Sequence, residues 1–342
     1  MEATRIALDV MGGDDAPRAT LKGALLACDS ARERPLAPER IVLVGDEPAI
    51  RAGLSELRGE GAPDPGFELV HAAQVIAMDE SPAVALRAKP DSSIARCVET
   101  VRAGRAGALV SMGNTGAVVA AATLGLRTLA GVRRPGIAVT LALTGQHLTI
   151  IDMGANIAPK PEHLLQYGMM GAAYMRACIG VRDPRVGLLN VGEEASKGTD
   201  LLKETHRLLS SSRLSFAGNV EGGDLFLEKV DVVVTDGLTG NVVLKLLEGF
   251  SGFMLGLVLS ELKRHGVDWA PDVLRSLERK IDYAEYGGAL LLGVAGAVVI
   301  GHGRSDANAV ANALGLAARA LDAGVNQHIV RGLEQAREEA AS

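Results

Sequence analysis

Six short segments of the chain combine glycine with carboxylate, amide or lysine side chains, a mixture suited to holding an anion. Asp9-Val-Met-Gly-Gly-Asp-Asp-Ala-Pro17 places Gly12 and Gly13 where backbone can approach a ligand closely, and Pro17 suits the first position of a helix. An Asp-capped strand-to-helix turn accounts for the same residues without a ligand. Ser111-Met-Gly-Asn-Thr-Gly116 again puts small residues ahead of an alanine-rich helix. In so apolar a stretch Asn114, Thr115 and Gly116 carry a desolvation cost unless they are bonded or serve a ligand. Asp152-Met-Gly-Ala-Asn156 can present Asp152 and Asn156 to a crevice with Lys160 close behind, or fold as an Asx turn with a cap. Between Asn190 and Gly198, Lys197 can balance phosphate charge or pair with Glu193 one helical turn away. Gly218 to Gly222 and Thr235 to Asn241, the latter carrying Asp236 and Asn241, repeat the theme. His302 lies between Gly301 and Gly303 and has the residue type of a general acid or base, although a lone histidine is more often structural.

Several chemistries lose ground because their signatures are missing. There is no Gly-x-Gly-x-x-Gly after the first strand, no Walker phosphate loop, no Gly-x-Ser-x-Gly elbow and no His-Glu-x-x-His. Cys28, Cys97 and Cys178 are far apart and lack ligand partners, so neither a zinc site nor a disulfide framework is expected, and no metal or cofactor is called for. The net charge of −6 and an aromatic content of 3% argue against nucleic acid as a partner. The first residues read as a strand rather than a secretory leader, which points to the cytoplasm. Ala106 to Leu126 is interrupted by Ser111, Asn114 and four glycines, and Tyr286 to Gly301 is short and glycine-rich, so no membrane-spanning helix is expected.

These residues need a scaffold, and the apolar runs supply one. Ile6–Asp9, Ile41–Val44, Phe67–Val70, Ala108–Val110, Ile137–Thr140, Leu148–Ile151, Val186–Leu189, Leu214–Phe216, Val232–Val234 and Ala297–Ile300 suit strands buried on both faces. Between most of them lie segments of helical period, such as Pro17 to Ser30, Ser92 to Ala103, Pro161 to Ile179, Lys197 to Ser210 and Ser305 to Ala323. The alternation predicts a parallel, doubly wound α/β architecture in which the candidate loops follow the strands and converge on a crevice. All 342 residues read as a single α/β unit, of one body or two lobes. Residues 241–281 break the alternation as a helical excursion, drawn here as a hairpin.

Taken together, the segments resemble the phosphate acyltransferase family of bacterial phospholipid synthesis, the acyl-carrier-protein:phosphate acyltransferases called PlsX. The matching stretches are Ala7 to Asp14, Ser111-x-Gly-Asn-Thr-Gly-Ala117, Asp152-x-Gly-Ala-Asn156, Lys160 to Leu164, Gly187 to Gly192 with Lys197-Gly198, Gly218 to Glu221, Asp231 to Gly237 with Thr239 to Asn241, and Tyr286 to Ala289. They occur in order along nearly the whole chain. The resemblance implies a fold of the isocitrate and isopropylmalate dehydrogenase type, shared with phosphate acetyltransferase, and a homodimer. It implies conversion of long-chain acyl-[acyl carrier protein] and inorganic phosphate into acyl phosphate and free carrier. The product would feed a membrane glycerol-3-phosphate acyltransferase.

Such a reaction needs a weak, hydrated nucleophile stripped of water and aimed at a thioester. Gly12-Gly13 and Asn114-Thr115-Gly116 are the expected cradles, with Asp9, Asp152, Asn156 and Asp236 in the same binding set and Lys160 or Lys197 offsetting phosphate charge. Asn190 and Asn241 are expected donors to the tetrahedral oxyanion, and His302 the candidate for assisting the leaving thiolate. No cysteine falls in a matching loop, so direct attack without an acyl-enzyme is expected.

The excursion suggests a second task. Gly249, Gly252, Gly256 and Ser260 form a narrow stripe, while Phe250, Phe253, Met254, Leu257 and Val258 belong to the apolar remainder of the circumference. Such a helix is either buried in an interface or dips into a bilayer surface, with Lys263 and Arg264 at the headgroups. The resemblance favours peripheral association with the inner face of the membrane, through Phe253, Met254, Leu257 and Val258. Lys263, Arg264, Arg275, Arg279 and Lys280 could dock an acidic carrier protein or form a solvated face. Competing functions are a small-molecule phosphate acyltransferase using coenzyme A thioesters, a β-decarboxylating dehydrogenase, and a membrane-bound scaffold.

Overall fold

In the computed structural model, which describes residues 4–59, 61–142, 145–266 and 287–340, each of the ten apolar runs falls on a strand, with Phe67 and Leu214 just ahead of theirs. They are β1 (Ile6–Asp9), β2 (Ile41–Gly45), β3 (Glu68–His71), β4 (Ala108–Ser111), β5 (Gly136–Ala142), β6 (His147–Ile151), β7 (Arg185–Leu189), β8 (Ser215–Val220), β9 (Val232–Val234) and β11 (Ala297–Ile300). An eleventh, β10 (Ala289–Leu292), lies in the glycine-rich stretch before β11. Its Ala-Leu-Leu-Leu sequence has no β-branched residue. Gly287, Gly288 and Gly293 around it all take positive φ, which bends the chain in and out of this short strand.

The strands form one sheet in the order β3-β2-β1-β4-β11-β10-β5-β6-β9-β7-β8. Two sets are parallel as expected: β3-β2-β1-β4-β11 and β6-β9-β7-β8. Between them β10 runs antiparallel to both β11 and β5, and β5 antiparallel to β6. Three successive reversals leave the two parallel sets pointing in opposite directions. Their carboxyl ends therefore emerge at opposite edges of the sheet. The expectation of a parallel architecture missed this inversion: the two reversals at β10 cancel, and the net change of direction arises where the consecutive strands β5 and β6 pair antiparallel.

Helices, the shorter or more peripheral ones being α2 (Glu47–Arg58), α3 (Pro82–Ala88) and α7 (Asp200–Ser210), cover both faces. On one, α1 (Arg18–Ala27) packs against the helix Ala307–Asp322 so closely that a methyl on Gly23 would overlap Val310. α6 (Pro161–Tyr174) covers the same face of the second set, and Tyr167 is completely buried there. On the other face, α4 (Ser93–Arg102) buries Ile94, Cys97, Val98 and Val101, a helical stripe facing β1 and β4, with Ser92 capping its first turn. α5 (Thr115–Gly125) buries Ala117, Val118, Ala121 and Ala122 beside it.

The excursion is the helix α8 (Gly237–Arg264), about 42 Å long at the standard rise. Asp236 caps it by accepting from the amides of Leu238 and Thr239 at 3.0 and 2.9 Å. Only Gly237 and Gly240 are buried, and Val243 and Leu244 partly pack on the core. Beyond them Leu246, Phe250, Phe253, Leu257 and Val258 stand exposed. The second arm of the expected hairpin, with Arg275, Arg279 and Lys280, lies outside the described residues, as does Tyr286.

Candidate active site

The first group of site residues gathers at the carboxyl edge of the first strand set. Asp9 ends β1 and Ser111 ends β4, and both are completely buried. The Ser111 hydroxyl donates to Asp9 Oδ2 at 2.6 Å and accepts from the Gly113 amide at 3.1 Å. Asp9 Oδ1 accepts from the Met11 amide at 3.1 Å. Burial raises the Asp9 carboxyl above its ordinary value, opposed by the hydrogen bonds from Ser111, Ser93 and the loop amides. Asp9 thus faces inward and holds its own loop. Gly12 is indispensable to this packing, since a Cβ there would lie 2.6 Å from both Asp9 Oδ2 and the Gly113 nitrogen.

Asn114 is likewise occupied within the protein. Its Oδ1 caps α5 by accepting from the Ala117 amide at 3.0 Å. Its Nδ2 donates to the carbonyls of Ala77, Met78 and Glu80 at 3.3, 3.1 and 2.9 Å, tying the 77–80 loop to the helix start. The amides of Gly13, Thr115 and Gly116 donate to no group among the described residues, and Thr115 and Gly116 are exposed. An α-helix N-terminus leaves such donors, and they carry positive partial charge.

The His302 loop closes over this edge. The Asp14 amide donates to the Gly303 carbonyl at 2.8 Å. His302 Nδ1 accepts from the Arg304 amide at 3.2 Å, and the His302 amide donates to Ser305 Oγ at 3.1 Å. The neutral ring is therefore assigned its proton on Nε2, leaving that nitrogen as a donor.

The second group occupies the carboxyl edge of the other strand set. Asp152 is buried and accepts from the amides of Ile137, Gly154 and Ala155 through Oδ1, and from the amide of Asn156 through Oδ2 at 2.7 Å. Burial raises its pKa against these bonds. Asn156 Nδ2 donates to the Pro135 carbonyl and to the Tyr167 hydroxyl at 2.6 and 2.8 Å, so the Asp152 loop is closed on itself. Asp236 serves as the α8 cap. Asn241 is exposed and lies beside Gly154. Asn190 clips its own loop, accepting from the Val191 amide at 2.8 Å and donating to the Lys197 carbonyl at 3.2 Å. The Lys197 ammonium is exposed, 4.0 Å from Glu194, and Lys160 is exposed at the start of α6. No hydrogen bond or ion pair joins the two groups among the described residues.

Two features went unnoticed in the sequence. Ser111 is the hinge of the first group, and its signal is positional: β1 pairs with β4 so that Leu8 faces Val110, which sets Asp9 opposite Ser111. The second is a cationic rim of Arg133, Arg134 and Lys160 around His163, visible only once β5 is known to start beside the end of β6. Burial, then Arg134, holds the His163 imidazole below its ordinary value, and its Nδ1 accepts from the Lys160 amide at 3.1 Å. Crevices of about 600 and 1200 Å³ lie elsewhere, lined by residues such as Leu291 and Asn326 or Arg32 and Arg319, and touch neither group. Among the described residues no cluster of His, Cys, Asp or Glu is arranged to bind a metal ion.

A family model described as fatty acid synthesis protein matches residues 4–328. A phosphate acyltransferase of Pelotomaculum thermopropionicum is 45% identical over 323 residues, covering 93% of this chain and 92% of the relative. One of Myxococcus xanthus is 45% identical over 341 residues, covering 97% and 94%. Among solved structures, a phosphotransacetylase from Streptococcus pyogenes superposes with a TM-score of 0.59 at 18% identity, covering 94% of each chain. A branched-chain phosphotransacylase from Enterococcus faecalis gives 0.57 at 16% identity, covering 92% of this chain and 98% of that one. At such identities the structural likeness speaks for the fold.

Proposed function

The chain belongs to the phosphate acyltransferase family, and on that premise we propose that it moves a long-chain acyl group from acyl carrier protein to inorganic phosphate, releasing acyl phosphate and free carrier. The observation that carries this reading is the set of unpartnered amides at Gly13, Thr115 and Gly116. The Gly113 and Ala117 amides are bonded inward, while these three have no acceptor among the described residues and form the cradle at the start of α5. Phosphate held there loses water and is fixed for attack. One of its oxygens attacks the thioester carbonyl carbon, a tetrahedral oxyanion forms, the carbon–sulfur bond breaks, and the carrier thiolate leaves and takes up a proton. His302 Nε2–H, a donor beside the cradle, serves the oxyanion or the departing sulfur. Burial raises Cys28 and Cys178 to about 11, and Cys97 well above its usual value, which favours direct attack over an acyl-cysteine.

Lys197, Asn190, Asn241 and Lys160 stand at the other edge of the sheet. They enter this scheme from a second chain, and the proposed homodimer supplies that arrangement. The acyl phosphate then passes to a membrane glycerol-3-phosphate acyltransferase for phosphatidic acid synthesis. A cytoplasmic protein that rests on the inner membrane face through Phe253, Met254, Leu257 and Val258 suits a greasy, hydrolysable product. The exposed apolar length of α8, with a mean hydropathy of 1.9 in its most apolar window, supports that placement.

The test is purified protein with long-chain acyl carrier protein, with and without phosphate, trapping acyl phosphate as its hydroxamate. Phosphate-dependent hydroxamate with matching thiol release is expected. Product from acyl coenzyme A alone would reassign the donor, and no product from either would remove the acyltransferase reading.

A further inference from the structure

We propose that Asp9 and Ser111 form one positioning unit that sets the distance between the two glycine loops, a role that deepens the phosphate reading above and rests on it. The carboxylate grips the first loop through the Met11 amide, the hydroxyl grips the second through the Gly113 amide, and the 2.6 Å bond between Ser111 and Asp9 joins the two grips. Both side chains are completely buried, so neither meets phosphate. Gly12 fills the space between the loops with no room for a methyl, which means that any shift of Asp9 against Ser111 is passed directly to loop spacing. The amides bonded inward by this unit leave those of Gly13, Thr115 and Gly116 without an acceptor among the described residues. Fixed spacing is what a cradle for a small tetrahedral anion requires, whereas a large acyl carrier makes no such demand on these loops.

The bond is also polar in one sense only. A serine hydroxyl that donates to Asp9 keeps its lone pairs for the Gly113 amide. Asn at position 9 that keeps its carbonyl on the Met11 amide presents an amide donor to Ser111. The hydroxyl hydrogen then has no acceptor from residue 9. Ala at position 111 removes the joint altogether while leaving each loop its remaining contacts.

The experiment combines hydrogen–deuterium exchange with steady-state kinetics on S111A, D9N and the double variant. S111A is expected to accelerate exchange in the first loop, Met11 to Asp14, and D9N in the second, Gly113 to Gly116. The KM for phosphate is expected to rise about tenfold or more, with the KM for the acyl thioester moving less than about twofold, and the double variant is no worse than the poorer single one. Exchange changes confined to each variant's own loop, equal rises in both KM values, or additive losses would each overturn the proposal. Wild-type protein lacking phosphate-dependent turnover would instead defeat the phosphate reading, and the cross-loop exchange would still decide for or against the unit. Should D9N fold poorly, S111A deletes only a hydroxyl and decides alone.

Discussion

A methyl group on Gly240 would overlap the carbonyl oxygen of Asp152. The first turn of α8 is thus laid directly on the loop that carries the second group. Gly240→Ala must push helix and loop apart, and overpacking of this kind costs about 1–3 kcal/mol or more. The expected result is a melting temperature lowered by several degrees and a turnover loss of about tenfold. Gly249, farther along the same helix, has nothing within 4 Å of its would-be Cβ, and Gly249→Ala should hold or gain up to about 1 kcal/mol. Equal effects at the two positions in thermal melts would contradict the packing described.

Asn114 works as a cap and a clamp together. Asn114→Ala removes the α5 cap, worth about 1 kcal/mol, and strips three carbonyls of their donor. A total loss of about 2–4 kcal/mol in denaturant unfolding is expected. Asn114→Asp retains the cap but turns an acceptor toward those carbonyls, and should be no more stable than the Ala variant.

The pH dependence of His163 has a definite sign. Its folded pKa lies below the unfolded one, so its contribution is complete above about pH 6.5 and fades as pH falls through the folded value. Protonation also removes Nδ1 as acceptor for the Lys160 amide. An NMR titration of the ring should show a midpoint below 6.5, and His163→Gln should flatten part of the acid-side fall in melting temperature. A midpoint above 6.5 would reverse the assignment.

Because the two groups lie at opposite edges, inactive chains should rescue one another. H302A and K197A, each inactive alone, are expected to recover about a quarter of wild-type turnover when unfolded together and refolded, through dimers holding one intact site. No recovery, despite proven mixed dimers, would restrict the reaction to one chain's residues.

Charges placed at the apolar end of α8 should act on membrane binding alone. Met254→Glu with Leu257→Glu removes two side chains worth about 1.5–3 kcal/mol each when buried, so partition onto anionic liposomes should fall about a hundredfold or more with far-UV circular dichroism unchanged. Undiminished liposome binding would assign that face to a second copy of the chain.

Much of the scaffold was legible, because most of these strands are buried on both faces and carry short apolar runs; β3 and β8, at the two edges of the sheet, are only partly buried and were marked by weaker runs. Ala289–Leu292 escaped because it uses alanine and leucine between glycines, and the reversal of half the sheet escaped because apolar runs do not tell whether β5 and β6 pair parallel or antiparallel. The glycine loops were legible as loops. Their inward bonding was not, since whether Asp9, Asn114 or Asp152 serves a ligand or its own backbone depends on which way a few amides turn. Ser111 and Arg134 acquire meaning only from strand register.

A rod anchored at one end is a lever. α8 is seated on the Asp152 loop at Gly237 and Gly240 and buries no side chain fully beyond Leu244, so a tilt of about 5° at its root carries Arg264 about 3 Å. Read in reverse, whatever surface fixes the far end of the rod fixes the angle of its root to within a few degrees, and with it the pose of the loop beneath.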